Sequence, residues 1–142
     1  MSKILLLVHC EDAFRSMFPS MFIPRLIKEC RNADWVIHFT SHVNDDEPIE
    51  DIIPYVNEQI DWGWGYEKEQ FLFDDNEDEA KWVIDSIGHE FTWVPPELRN
   101  GRFKSNDFIV LGGGAEWECL ADMVSVLDYQ DIEYKKLSQI VF

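Results

Sequence analysis

Basic residues are scarce in this chain. Twelve Lys and Arg stand against 28 Asp and Glu, for a formal net charge of −16. Phosphate contacts need a basic face, so direct binding to a nucleic-acid backbone is excluded. Attraction to an anionic membrane surface is disfavoured for the same reason. Cysteine is also rare: Cys10, Cys30 and Cys119 are odd in number and lack the close spacing that metal clusters use. That argues against a disulfide framework, and a reducing cytoplasm is the simplest setting. No apolar run approaches the roughly 20 residues of a membrane helix. The short run after Met1-Ser2-Lys3 meets His9, Glu11 and Asp12 too soon for a secretory signal. There is no P-loop and no dinucleotide fingerprint, so neither points to a cofactor, and no metal is assigned. No repeat or linker divides the chain, which predicts one domain over residues 1–142.

What is present is a core-forming composition. Hydrophobic residues make up 46% of the 142 residues and aromatics 14%, including six tryptophans. This is not a disordered chain. The acidity has two readings: solubility, or a face that imitates nucleic acid and occupies a basic surface on a protein partner.

Lys3 to Val8 and Trp35 to Thr40 are short continuous apolar runs, the pattern of buried parallel strands. Between them Phe22, Ile23, Leu26, Ile27 and Cys30 form one stripe of a helix over about residues 21–31. Ser20 is its candidate cap, Pro24 falls in its first turn, and Phe14 to Pro19 read as a loop. Strand, helix, strand predicts a right-handed crossover and a parallel pair. Ile49, Ile52, Ile53 and Val56 recur at helical spacing, cut short by Pro54. A helix opening on the acidic run Asp74 to Glu79 and ending at Gly88, a short strand at Phe91 to Val94 and a helical turn at Glu97 to Asn100 come next. Phe108 to Leu111 is a third strand, Glu116 to Leu127 a third helix, and residues 131–142 a closing strand. The fold class expected is α/β: a three-layer, Rossmann-like α/β/α sandwich on a mostly parallel sheet of about four to five strands.

In such a sheet the C-terminal ends of the strands share one edge, where α/β domains place binding and chemistry. His9, Cys10, Glu11, Thr40, His42, Gly113, Gly114 and Cys119 would converge there. Cys119 falls in the first turn of a helix opened by Gly112-Gly113-Gly114-Ala115. The helix dipole favours its thiolate, whereas Glu116 and Glu118 raise a neighbouring thiol. It reads either as a nucleophile or as a small apolar residue packed on the sheet. A nucleophile needs a base, and His9 or Glu11 is the candidate. Gly113, Gly114 and Ala115 read as ligand-binding through the turn N–H groups of Gly114 to Glu116, or as a tight connection. Thr40 is a further ligand-binding candidate. His38, His42, Asp45 and Asp46 suggest a divalent-metal loop or a solvated turn, the latter preferred. Trp62, Trp64 and Tyr66 read as cover over the sheet, as the contact of a homo-oligomer, or as a lid stacking on a flat ligand.

The two ends of the chain resemble the isochorismatase-like cysteine hydrolases. Leu7-Val8-His9-Cys10-Glu11-Asp12-Ala13-Phe14 is similar to the family's first strand and the residues after it. Val110 to Cys119 is similar to its strand, glycine-alanine turn and nucleophile. Asp128 to Tyr134 loosely echoes the Gly-Tyr and strand that come after the family's helix. The likeness covers roughly the first 45 and last 35 residues. It implies a nucleophile position at Cys119, and His9 stands where the family has its catalytic aspartate. Lys81 is the residue available for the family's lysine, Lys104 lying too near the cysteine. Two functions are open. One is a small-molecule hydrolase of this kind, or a catalytically degenerate binding relative. The other is a non-catalytic acidic protein that binds a basic protein surface.

Overall fold

The computed structural model describes residues 2–40, 47–61, 103, 106–129 and 131–142. Five strands form one all-parallel sheet: β1 (Lys3–Val8), β2 (Trp35–Thr40), β3 (Glu58–Asp61), β4 (Phe108–Gly113) and β5 (Tyr134–Val141). Among the described residues two α-helices accompany them, α1 (Phe22–Asn32) and α2 (Cys119–Tyr129). The strand order is β3-β2-β1-β4-β5. The chain winds outward from β1 through β2 to β3, then crosses to the other side of β1. This is the α/β, Rossmann-like fold read from the alternation of apolar runs. The expected side-by-side placement of β1 and β4, both running the same way, is present from Lys3 opposite Phe108 to Val8 opposite Gly113.

The continuous apolar runs are explained by burial on both faces. Leu5, Leu7, Val36 and Val110 pack with Phe22, Leu26 and Cys30 of α1 and with Ile49 and Ile52. Leu6, Val8, Ile37, Ile109 and Leu111 pack with Leu120, Met123, Val126 and Leu127 of α2.

Several local expectations are corrected. Asp12–Met17 is a 3₁₀ helix rather than a loop, with Arg15 folded back on Asp12 at 2.8 Å. Ser20 does not cap α1. Met21 precedes the helix in a left-handed conformation, φ 65°, with no side-chain cap. Pro54 limits the segment after Ile49 to a 3₁₀ turn, Ile53–Tyr55, and β3 comes next where no strand was expected. Strand β4 continues through Gly112 and Gly113, and α2 begins at Cys119 rather than at residue 116. It ends in a left-handed closure: Asp131 has φ 60°, its N–H donates to Asp128 O, and the Ile132 N–H donates to Leu127 O. That closure delays β5 to Tyr134. The helix expected after residue 74, the strand at 91–94 and the turn at 97–100 lie outside the described residues.

At Gly113 strand β4 passes close against Val8 of β1. Its φ is +96°, and a Cβ there would run into Val8 O, with Val8 N only 2.6 Å away. Gly113→Ala is therefore expected to lower the unfolding free energy by at least about 2 kcal/mol in urea denaturation. An unchanged midpoint would mean that β4 does not press on Val8 as described.

Candidate active site at the strand switch point

The strand order reverses between β1 and β4, and in such sheets binding sites lie at the C-terminal strand ends beside the reversal. The first wall of this site is the segment after β1. His9 adopts φ 52°, a left-handed conformation uncommon for a residue with a side chain. Its N–H donates to Phe39 O at 3.0 Å, and the Cys10 carbonyl accepts from Ile49 N–H at 2.8 Å. Glu11 then forms an isolated antiparallel bridge with Pro48.

This path gathers four polar side chains in the interior. His9, Glu11, His38 and Thr40 are 3%, 0%, 0% and 1% exposed. His9 Nδ1 lies 2.9 Å from Glu11 Oε2 in an off-axis contact. The Thr40 hydroxyl donates to Glu11 Oε1 at 3.1 Å. Cys10 N–H donates to His38 Nε2 at 3.0 Å. His38 is thus neutral with its proton on Nδ1, and that nitrogen has no acceptor among the described residues. Its pKa falls to about 4. Burial is the main cause; nearby His9 lowers it further, and Glu11 opposes the shift.

The second wall is the glycine turn after β4. Gly114 N–H donates to Val8 O at 2.9 Å, and Glu116 N–H donates to Phe142 O at 2.6 Å. This corrects the view of residues 114–116 as a set of three amides facing an anion. Two are committed to backbone carbonyls, and only the Ala115 N–H lacks an acceptor among the described residues. The Gly114–Ala115 peptide is cis. The Ala115 carbonyl accepts from both Glu118 and Leu120 N–H, which places Cys119 as the first residue of α2.

The three thiols differ. Burial raises Cys10 well above the usual thiol range, helped by Cys30 and Glu11. Burial and then Glu29 push Cys30 up to about 12. Cys119 is 9% exposed and shares the apolar cluster of Val8, Leu120 and Met123. It sits on the helix face that meets the sheet, with its cluster neighbour Val8 leading directly into His9.

Two aromatic residues not considered as site residues in the sequence extend from the His9 ring. Phe14 stacks on the His9 ring with centroids 5.5 Å apart, and Phe142 lies 5.9 Å beyond Phe14. The Phe142 ring also closes over Gly114, where a Cβ would lie 2.7 Å from it. His38, grouped from the sequence with a metal loop or a solvated turn, is instead fully buried inside β2. Trp117, between the turn and Cys119, is exposed, with Lys136 Nζ 5.1 Å from its ring centroid. Trp62, Trp64, Tyr66, His42, Asp45, Asp46, Lys81 and Lys104 lie outside the described residues. Among the described residues no group of three His, Cys, Asp or Glu side chains is placed to hold a metal. Nor is any helix there long and apolar enough to cross a membrane. No protein-family model and no curated protein sequence matches the chain.

The buried His38 makes stability depend on pH with a definite sign. Its folded pKa of about 4 lies below the ordinary 6.5. Between those values the unfolded chain holds the extra proton, so this contribution is complete above about pH 6.5 and is lost as pH falls toward 4. The loss amounts to about 3 kcal/mol at most. His38→Gln should flatten that limb, as read from urea midpoints at about pH 7 and about pH 4.5. An equal acid loss in both proteins would assign the sensitivity to other groups.

Proposed function

We propose that this chain is an isochorismatase-like cysteine hydrolase acting on a small acyl compound, with Cys119 as nucleophile and His9 as base. The observation that carries the reading is the β1–β4 juxtaposition. It sets the strand that leads into a buried His9–Glu11 pair beside the strand that leads into the turn before Cys119. Sequence resemblance at both chain ends supports the same assignment.

The chemistry rests on these roles. Glu11 faces His9 Nδ1, leaving Nε2 to take the thiol proton. The Cys119 sulfur then forms a bond to the acyl carbon, and the Ala115 N–H is available to the developing oxyanion. The bond to the leaving group breaks, and the leaving atom takes the proton from His9. Water, deprotonated by His9, cleaves the resulting thioester and regenerates the thiol. Glu11 is the orienting carboxylate in this scheme, since Thr40 holds its other oxygen. Phe14, stacked on His9, limits the ring's rotation.

Alkylation with iodoacetamide at about pH 7, read by peptide mass spectrometry, tests the assignment. Cys119 should react at least about tenfold faster than Cys10 and Cys30, whose thiols are held protonated by burial. His9→Gln should remove most of that advantage. Equal or negligible labelling of Cys119 would sink the nucleophile and leave a ligand-binding relative without catalysis.

A further inference from the structure

We infer that His38 is a positioning residue for the His9–Glu11 pair, acting through the Cys10 amide that its Nε2 accepts. The inference rests on the role proposed above for His9, and the geometry supplies the rest.

The β1–β2 ladder ends at His9, whose N–H takes Phe39 O. One residue later the chain has left the sheet, yet Cys10 is still fully buried. Its N–H would be an interior donor with no strand to meet, and such groups find a partner in native proteins. The partner is a side chain from the neighbouring strand. His38 stands opposite Leu7 in the ladder and reaches forward to Cys10 N–H at 3.0 Å. With the Cys10 carbonyl held by Ile49 N–H, that residue is pinned on both sides. Cys10 is also the single residue separating His9 from Glu11. Its orientation therefore sets whether the two side chains meet at 2.9 Å. Thr40 steadies the far oxygen of Glu11 from two residues along the same strand. Strand β2 thus contributes two contacts that hold the pair, one through backbone and one through side chain. Neutral His38 is required, because a protonated Nε2 cannot accept.

Nuclear magnetic resonance on the full ¹⁵N-labelled chain tests this. The wild type should show scalar coupling across the Cys10 N–H···Nε2 hydrogen bond, and His9 should hold its neutral proton on Nδ1. His38→Leu removes the acceptor. His9 should then become a mixture of tautomers, and Cys119 alkylation should fall at least about tenfold with an altered pH profile. His38→Gln places an amide oxygen near the lost nitrogen and should restore both readouts. A folded His38→Leu protein with an unchanged His9 tautomer and alkylation profile would overturn the inference. So would absence of the wild-type coupling, or failure of His38→Gln to keep the tautomer should His38→Leu not fold. If Cys119 is inert in the wild type while the His9 tautomer still tracks the residue at position 38, the hydrolase reading falls and the positioning role stands.

Discussion

The close approach of β4 to β1 at Gly113 and Val8 is the constraint on which the site depends. The two backbones meet where a side chain has no room, and the Gly114 N–H closes the contact by donating to Val8 O. That contact determines where His9 leaves the sheet and where the turn toward Cys119 begins. It also lies at the reversal of strand order, the one place in such a sheet where two adjacent strand ends diverge to opposite faces. A wider separation would still give a parallel pair, but it would move the turn after β4 away from the end of β1.

Around that contact the protein tolerates an unusual interior. Two histidines, a glutamate and a threonine are withdrawn from water, which costs several kcal/mol unless they meet one another or the backbone. Here they do both. His38 meets the Cys10 amide, and Thr40 and His9 meet the two oxygens of Glu11. The cluster lies at strand ends rather than in mid-sheet, so the apolar layers against α1 and α2 stay continuous.

Much of this frame is legible in the residues. Lys3 to Val8, Trp35 to Thr40 and Phe108 to Leu111 announce themselves because burial on both faces demands an unbroken apolar run. The α1 stripe is legible because a single helix face, that of Phe22, Leu26 and Cys30, is buried. Strand β3 is not: Glu58-Gln59-Ile60-Asp61 is short, polar and at the edge of the described sheet, and its pairing with β2 is decided by position rather than composition. The 3₁₀ helix after Glu11 carries no periodicity. For the site, the parallel direction of β1 and β4 puts the segments that come after them at one sheet edge. The His9–Glu11 contact depends on a left-handed residue that no glycine marks, and the use of the Gly114 and Glu116 amides depends on where Phe142 ends up. Neither can be read from spacing.

Phe142 has one more consequence. Its N–H donates to Gly113 O, its carbonyl receives the Glu116 amide, and its ring rests beside Phe14, Phe18 and Phe22. During synthesis a chain emerges in sequence order, so β1 and α1 are made long before this residue. Until position 142 has cleared the ribosome, the turn carrying Ala115 has neither of these two backbone partners. A nascent chain stalled between β4 and β5 would therefore lack both contacts that fix this turn.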